Sequence, residues 1–178
     1  MNKSGFTLIE LLLAISVFGI LSSIVIIGYR NNEASRNFET QALKIVDGLN
    51  SAQNRALTGA IVDNNQPDFF RFMMTNCEVY CFYKIIAVSN SNGEPRETVI
   101  EEIFLPELSI DIFGGSQLKI DFKVPRGVIT SNISEAVMKI DLISTKAQKA
   151  DNSPLNYCLL INTISGRFEL SSNSCSAL

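Results

Sequence analysis

The chain of 178 residues contains no histidine and no tryptophan. Histidine is the commonest metal ligand and general base near neutral pH, so its absence argues against many catalytic and metal-binding sites. The sequence also lacks a Gly-x-Ser-x-Gly elbow and a phosphate-binding loop. We therefore expect a protein that is not an enzyme and that uses no cofactor and no metal ion.

Basic residues are in slight deficit. Lys and Arg number 15 against 18 Asp and Glu, which gives a net charge of −3. Nucleic-acid binding requires a basic surface, so this balance argues against a nucleic-acid partner. Arg126 and Arg167 keep one alternative open, in which the chain is a DNA-binding module.

Apolar residues, in contrast, are concentrated near the N-terminus. The 18 residues 11–28 carry no charge, and with residues 6–9 the segment approaches the ~20 residues that cross a hydrocarbon core. Lys3 precedes the segment and favours a cytoplasmic N-terminus. We therefore expect a single-pass helix over residues 6–28, with the C-terminal domain on the opposite side of the membrane from the N-terminus.

One carboxylate, Glu10, lies at the beginning of this apolar segment. An ionised carboxylate within a bilayer costs about 2.5–3.5 kcal/mol even on insertion scales. A chain that keeps Glu10 there is expected to supply a partner for its charge.

The residues Gly5-Phe6-Thr7-Leu8-Ile9-Glu10 and the apolar run after them resemble the class III signal sequence of type IV pilins and type II secretion pseudopilins. The small residue Gly5 precedes the apolar run, whereas a secretory signal peptide has its cleavage site after that run. The resemblance implies that a prepilin peptidase cuts between Gly5 and Phe6 and methylates the new amine of Phe6. It also implies assembly with other pilin or pseudopilin subunits, by an inner-membrane assembly platform, into a pilus or pseudopilus filament.

Within such a filament, the Glu10 carboxylate of one subunit can pair with the Phe6 amine of its neighbour. Pairing largely offsets the cost of each charge in an apolar core and would set the axial register. Two alternatives stay open: a non-polymerising membrane-anchored β domain, and a DNA-binding minor pilin for DNA uptake.

The sequence departs from the pattern of many major pilins at one point, because residues 21–28 contain no proline.

The pattern along the chain predicts four parts: a leader (1–5), a transmembrane and filament-core helix (6–28), an amphipathic continuation (29–57) and an antiparallel β domain (58–178). Apolar residues recur at helical spacing in the third part, and Gly59 is a suitable stop. The polar residues 29–36 allow a bend. The recurring positions are Phe38, Ala42, Ile45, Val46, Leu49, Ala52 and Ala56.

Short strands are predicted after the helix, at residues 69–74, 79–88, 98–104, 108–113, 118–124, 138–142, 157–164 and 167–170. Turns or loops are predicted at 89–95, 114–115 and 146–154. In the strands predicted at 118–124 and 138–142, apolar residues alternate with charged ones such as Asp121 and Asp141, which predicts one buried and one solvated face. A long helix followed by antiparallel strands is an α+β fold, and the resemblance implies the pilin-like version of it. The hairpin Ser165-Gly166-Arg167 is similar to the end of GspH/FimT-type minor pseudopilins.

The four cysteines are Cys77, Cys81, Cys158 and Cys175. An oxidising compartment beyond the membrane favours disulfides, and four cysteines allow three pairings. A bridge between Cys77 and Cys81 requires a turn or bulge, because an extended strand would separate them by ~13 Å. A Cys158–Cys175 bridge would contribute ~3 kcal/mol and would resemble the C-terminal disulfide loop of many pilins. A zinc site is the less favoured interpretation.

Two acidic pairs were considered as sites. Glu101 and Glu102 are neighbours in a predicted strand, so their side chains should point to opposite faces, and a solvated edge is the favoured interpretation. Asp63 and Asp68 flank a loop, and acidic loops can bind calcium, but an ordinary polar loop is the favoured interpretation.

Overall fold

The computed structural model describes residues 8–78, 80–91, 94–148, 153–172 and 175, and it describes the backbone alone for residues 23–31 and 91. Within these residues the chain forms one α-helix and nine strands. Helix α1 spans Leu8–Thr58. The strands are β1 (Phe69–Thr75), β2 (Cys81–Ser91), β3 (Glu94–Leu105), β4 (Leu108–Ile112), β5 (Gln117–Lys123), β6 (Val128–Ser131), β7 (Val137–Gln148), β8 (Pro154–Asn162) and β9 (Arg167–Ser171).

Helix α1 contains 51 residues and is therefore about 77 Å long. It runs without interruption through residues 29–36, where the sequence allowed a bend. It ends as predicted, because Gly59 adopts a left-handed conformation with φ of 64°. The Gly59 and Ala60 amides then donate to the carbonyl oxygens of Ala56 and Arg55, at 3.3 and 3.0 Å, which satisfies two of the last helical carbonyl groups.

The strands form two sheets, with strand orders β3-β2-β1-β5-β6 and β4-β7-β8-β9. Every strand pair is antiparallel, and α1 packs against both sheets. Burial alternates along β1 and β5, as expected for strands with one face on a core. The predicted α+β class is therefore confirmed.

Several predicted boundaries differ from the structure. The loop predicted at 146–154 is shorter, because β7 continues to Gln148 and β8 begins at Pro154. The pairing of these strands shifts register after Ile143. There the Ser144 hydroxyl accepts hydrogen bonds from the Lys146 and Ala147 amides at 3.2 and 2.7 Å, and these bonds hold the irregular segment. Strand β6 was not predicted, and the turn predicted at 89–95 is also shorter.

Candidate functional site

The first half of α1 presents apolar side chains to solvent on all sides. Ten large apolar residues between positions 8 and 21 are exposed, with Leu8 at 77% and Phe18 at 71%. A helix that is apolar all round needs a covering of lipid or of other protein. Burying each such side chain contributes roughly 1.5–3 kcal/mol, so this surface strongly favours association.

Few polar groups interrupt this surface. The Ser16 hydroxyl donates to the Leu12 carbonyl oxygen at 2.8 Å and is therefore satisfied within the helix. Glu10 lies in the first turn of α1 and is exposed. A carboxylate in the first turn is stabilised by the helix dipole, by about 0.3–1 kcal/mol at exposed sites. The predicted processing residues Gly5 and Phe6 lie outside the described residues, so cleavage between them and pairing of Phe6 with Glu10 stay predictions.

The predicted membrane anchor is the apolar segment over residues 6–28. Within the residues that the structure describes, no helix is long and apolar enough to cross a membrane.

The structure joins all four cysteines in two disulfides, Cys77–Cys81 and Cys158–Cys175. The Cα atoms of Cys77 and Cys81 are 5.4 Å apart, which is possible because Cys77 lies outside β2 and the chain bends before Cys81. The Cys77 backbone pairs instead with Ile110 of β4. The Cys77–Cys81 disulfide therefore links the beginning of β2 to the second sheet.

The buried carboxylate of Asp141 lies beside the second disulfide. The sequence pattern predicted Asp141 on a solvated face of its strand, but it is only 9% exposed. The prediction was wrong because Cys175, which is joined to Cys158 of β8, lies against this carboxylate. The Asp141 carboxylate accepts a hydrogen bond from the Cys175 amide at 2.8 Å, so it helps to hold Cys175 in place.

Asp141, Cys158 and Cys175 are also the one group of three metal-ligating side chains that the described part of the chain contains. Both sulfur atoms belong to the disulfide, so neither is available as a thiolate ligand. The arrangement therefore favours the disulfide over the zinc interpretation.

One member of each acidic pair, Glu102 and Asp68, has a structural partner. Glu102 forms an ion pair with Lys84 at 3.1 Å, and Glu101 lies opposite Ile85 in the β2–β3 register. The side chains of Glu101 and Glu102 therefore belong to opposite faces, as predicted. The Asp68 carboxylate accepts a hydrogen bond from the Asn90 amide at 2.6 Å, which ties its loop to β2.

One charged cluster was missed by the sequence analysis. The Arg71 guanidinium donates two hydrogen bonds to Asp121, at 2.7 and 3.0 Å, and one to Glu97 at 2.9 Å. Its hydrogen bond to Asp121 is the main cause of the raised pKa of Arg71. The cluster links β1, β3 and β5 on the face of the sheet opposite the core. Because Arg71 is paired with both carboxylates, we assign the cluster a structural role.

Arg126 and Arg167, considered above for DNA binding, lie at one end of the domain. Arg126 belongs to the turn between β5 and β6, and Arg167 begins β9. Arg126 lines a cleft of about 340 Å³ beside the end of α1, together with apolar side chains such as Leu57 and polar ones such as Gln53. Arg167 directly follows Gly166, which also lines this cleft.

Comparison with known proteins identifies one segment of the chain. Residues 1–26 match the family described as the prokaryotic N-terminal methylation motif. The match includes the residues from Gly5 to Glu10 and confirms the resemblance that they carry. It gives no support to the narrower similarity of the 165–167 hairpin. No curated protein and no solved structure matches the chain.

Proposed function

Because the chain carries the N-terminal methylation motif of type IV pilins and pseudopilins, we propose that it is a minor pilin or pseudopilin. It would be a structural subunit of a type II secretion pseudopilus or of a related type IV pilus. One observation carries the proposal: the motif continues directly into a helix whose apolar side chains are exposed on all sides. Such a helix requires a covering partner.

The proposed path has two stages. In the precursor, residues 6–28 anchor the chain in the inner membrane, with residues 58–178 on the periplasmic side. After the leader, residues 1–5, is removed and Phe6 is methylated, the same apolar helix packs with the helices of other subunits. Residues 29–57 hold the β domain on the outside of the filament, where its surfaces meet neighbouring subunits.

Glu10 has a specific role in this proposal. A carboxylate within an apolar helix bundle is strongly unfavourable when unpaired, and a neighbouring Phe6 amine offsets that cost. A single polar pair at a defined position also disfavours shifted registers. The proposal therefore assigns assembly, rather than membrane insertion, to Glu10.

The processing step is tested by determining the mature N-terminus. The chain is produced together with a prepilin peptidase, and the N-terminal peptide is analysed by mass spectrometry. We expect a chain that begins with N-methylated Phe6. A mature chain that retains Met1 would overturn the proposal and leave a membrane-anchored β domain that does not polymerise.

The assembly step is tested by Glu10→Ala. We expect normal membrane insertion but at least about tenfold less subunit in sheared filaments. The Phe6 amine of the neighbouring subunit would then be buried without a partner, and an uncompensated buried charge costs about 3–5 kcal/mol. Glu39→Ala is the matched control, since Glu39 is an exposed carboxylate in the second half of the same helix. Equal incorporation of the Glu10→Ala and Glu39→Ala chains would rule out the pairing.

A further inference from the structure

The Cys158–Cys175 disulfide and the Asp141 side chain form a compact cluster on the second sheet. Asp141 of β7 lies directly opposite Cys158 of β8 in the strand register. The cluster is buried, since Cys158 is 0% exposed, Cys175 is 2% exposed and Asp141 is 9% exposed. Its ligand atoms, two sulfur atoms and one carboxylate oxygen, all lie within 4.8 Å of one another. Two thiolates and one carboxylate are ligands that suit Zn²⁺.

The spacing of the two cysteines also fits a metal ion. In a tetrahedral zinc centre with Zn–S bonds of about 2.3 Å, two sulfur atoms lie roughly 3.8 Å apart. The Cα atoms of Cys158 and Cys175 are 4.9 Å apart, so rotation about the two Cα–Cβ bonds can give that separation. Two thiols that are not bonded to each other also require a separation of this size. Binding the ion therefore requires little further movement of the sulfur atoms.

The sulfur atoms become available as ligands in the thiol form of the chain. Every chain begins in this form, because a disulfide forms only when an oxidant removes two electrons from two thiols. The same form returns when a dithiol supplies two electrons and two protons, which breaks the S–S bond and leaves the reductant as a disulfide. Each thiol releases its proton to solvent when it binds a metal ion.

Cys175 depends on the disulfide for its attachment to the sheet. In the disulfide form Cys175 is joined to β8 through Cys158, and its amide donates to the Asp141 carboxylate at 2.8 Å. The thiol form lacks the first of these attachments. An ion bound to both sulfur atoms and to Asp141 would replace it and keep Cys175 buried.

We propose that the thiol form of the chain binds one Zn²⁺ ion through Cys158, Cys175 and Asp141, with water in the fourth position. The ion holds Cys175 against β7 and β8 until the disulfide forms. An oxidant that carries a disulfide then accepts two electrons from the zinc-bound sulfur atoms, takes up two protons and becomes a dithiol. The Cys158–Cys175 bond forms in the same step, and Zn²⁺ is released. This site does not depend on the proposed filament role.

Two neighbouring features provide matched controls. Asp111 lies directly opposite Asp141 in the β4–β7 register, but it is exposed and is not a member of the cluster. Cys77 and Cys81 form the other disulfide, and no group of three metal-ligating side chains in the described part of the chain includes them. We therefore expect zinc binding to require Asp141 but neither Asp111 nor the Cys77–Cys81 pair.

Metal titration of the full chain in mild detergent tests the binding. A chain that carries Cys77→Ser and Cys81→Ser is reduced with a phosphine and titrated with Zn²⁺, or with Co²⁺ as its spectroscopic substitute. We expect one equivalent of either ion to bind, and Co²⁺ should show thiolate charge-transfer absorption and the d–d bands of a tetrahedral site. The oxidised chain should show neither, and a reduced chain without this spectrum overturns the proposal.

Loss of structure on reduction would be informative as well. If the reduced chain loses its circular dichroism spectrum, one equivalent of Zn²⁺ should restore it, because metal binding and folding are then coupled. A reduced chain that stays unfolded in the presence of Zn²⁺ would also contradict the proposal.

Asp141→Asn tests the third ligand. The amide oxygen can still accept the hydrogen bond from the Cys175 amide, but it is a poorer zinc ligand than a carboxylate. We expect the zinc affinity of the reduced chain to fall at least about tenfold, because one of three protein ligands is weakened. Asp111→Asn removes the same charge from the neighbouring strand and should change the affinity less than about threefold. Equal losses in the two variants would show that negative charge, rather than coordination by Asp141, attracts the ion.

The exchange of the ion for the disulfide has its own measurement. The zinc-loaded chain is oxidised with glutathione disulfide in the presence of a chromophoric zinc indicator. We expect one Zn²⁺ to be released for each Cys158–Cys175 disulfide that forms. Hydrogen exchange at the Cys175 amide should be slow in both the zinc-bound and the disulfide forms, and faster in the reduced chain without zinc. Disulfide formation that leaves zinc bound, or exchange that zinc does not slow, would overturn the proposed role of the ion.

Discussion

Helix α1 is continuous, but its two halves have opposite surfaces. In residues 8–22 the apolar side chains face solvent in every direction, and Glu10 is the one charged residue. In residues 32–58 a narrow apolar stripe is buried against the sheets, and the remaining faces are largely polar. The backbone hydrogen bonds are the same in both halves, so the pattern of side chains alone decides what each half must contact.

The difference also concerns side-chain size. The packed half places small residues, Ala42, Gly48, Ala52 and Ala56, against the sheets, and all four are buried. Small side chains allow the sheet to approach the helix closely. These small residues alternate with the buried large residues Phe38, Ile45 and Leu49. The exposed half carries mainly Leu, Ile and Phe side chains, which suit packing against lipid or other helices. Each half is therefore expected to respond differently to the same substitution.

The largest contrast is expected from two leucine truncations. Leu49 is fully buried beneath the sheets, whereas Leu13 is 65% exposed. Leu49→Ala should lower the free energy of unfolding of the β domain by about 2–5 kcal/mol, because it leaves a cavity in the core. Leu13→Ala should change it by less than about 0.5 kcal/mol. Urea denaturation of the full chain in mild detergent, followed by circular dichroism, measures both.

The slopes of these denaturation curves serve as the control, since equal slopes show that the same surface unfolds. Equal losses of stability in the two variants would show that the halves of α1 do not have the different environments described above.

A smaller contrast is expected from two glycines. A Cβ atom at Gly48 would lie 2.7 Å from ring carbons of Tyr83, whereas a Cβ atom at Gly19 would meet nothing within 4 Å. Gly48→Ala should therefore destabilise the domain by about 1–3 kcal/mol through overpacking. Gly19→Ala should stabilise its half of the helix by up to about 1 kcal/mol. Calorimetric unfolding of the full chain tests the opposite signs.

The overpacking explanation has its own control. Combining Gly48→Ala with Tyr83→Leu removes the ring that the new methyl group would meet, so the two losses should be less than additive. Additive losses would mean that Gly48 is required for another reason.

The sequence predicted those parts of the structure that depend on local periodicity. Spacings of three and four residues identified the buried positions from Phe38 to Ala56, and Gly59 identified the end of the helix. Alternation identified the core-facing residues of β5. The N-terminal motif could be identified from the sequence because its chemistry depends on a few adjacent residues, from Gly5 to Glu10.

Features that depend on distant segments were not predictable in the same way. Asp141 has the alternation of a solvated position, but Cys175, 34 residues later in the chain, lies against it. Arg71 of β1 meets Asp121 and Glu97 only because the sheet order β3-β2-β1-β5 places β5 beside β1 and β3 one strand beyond β2. The cleft beside Leu57 combines two turns that are far apart in sequence. Each requires knowledge of which strands are neighbours.

The smallest effect is expected from the ionisation of Tyr83, which packs against the second half of α1. It leaves the free energy of unfolding unchanged near neutral pH and lowers it only at alkaline pH. Burial, followed by the charges of Glu101 and Asp47, raises the pKa of Tyr83 to about 12. The unfolded chain has a tyrosine pKa of about 10, so it loses this proton first as the pH rises. The stability of the domain should therefore be constant below about pH 10 and fall between pH 10 and 12.

Tyr83→Phe should reduce that fall, as measured by the free energy of unfolding at pH 8 to 11.5. Burial also raises the pKa of Tyr157, so part of the fall should remain until Tyr157→Phe is added. If the curves for the wild-type and Tyr83→Phe chains fall in parallel, the buried environment of Tyr83 against the packed half of α1 is not the cause.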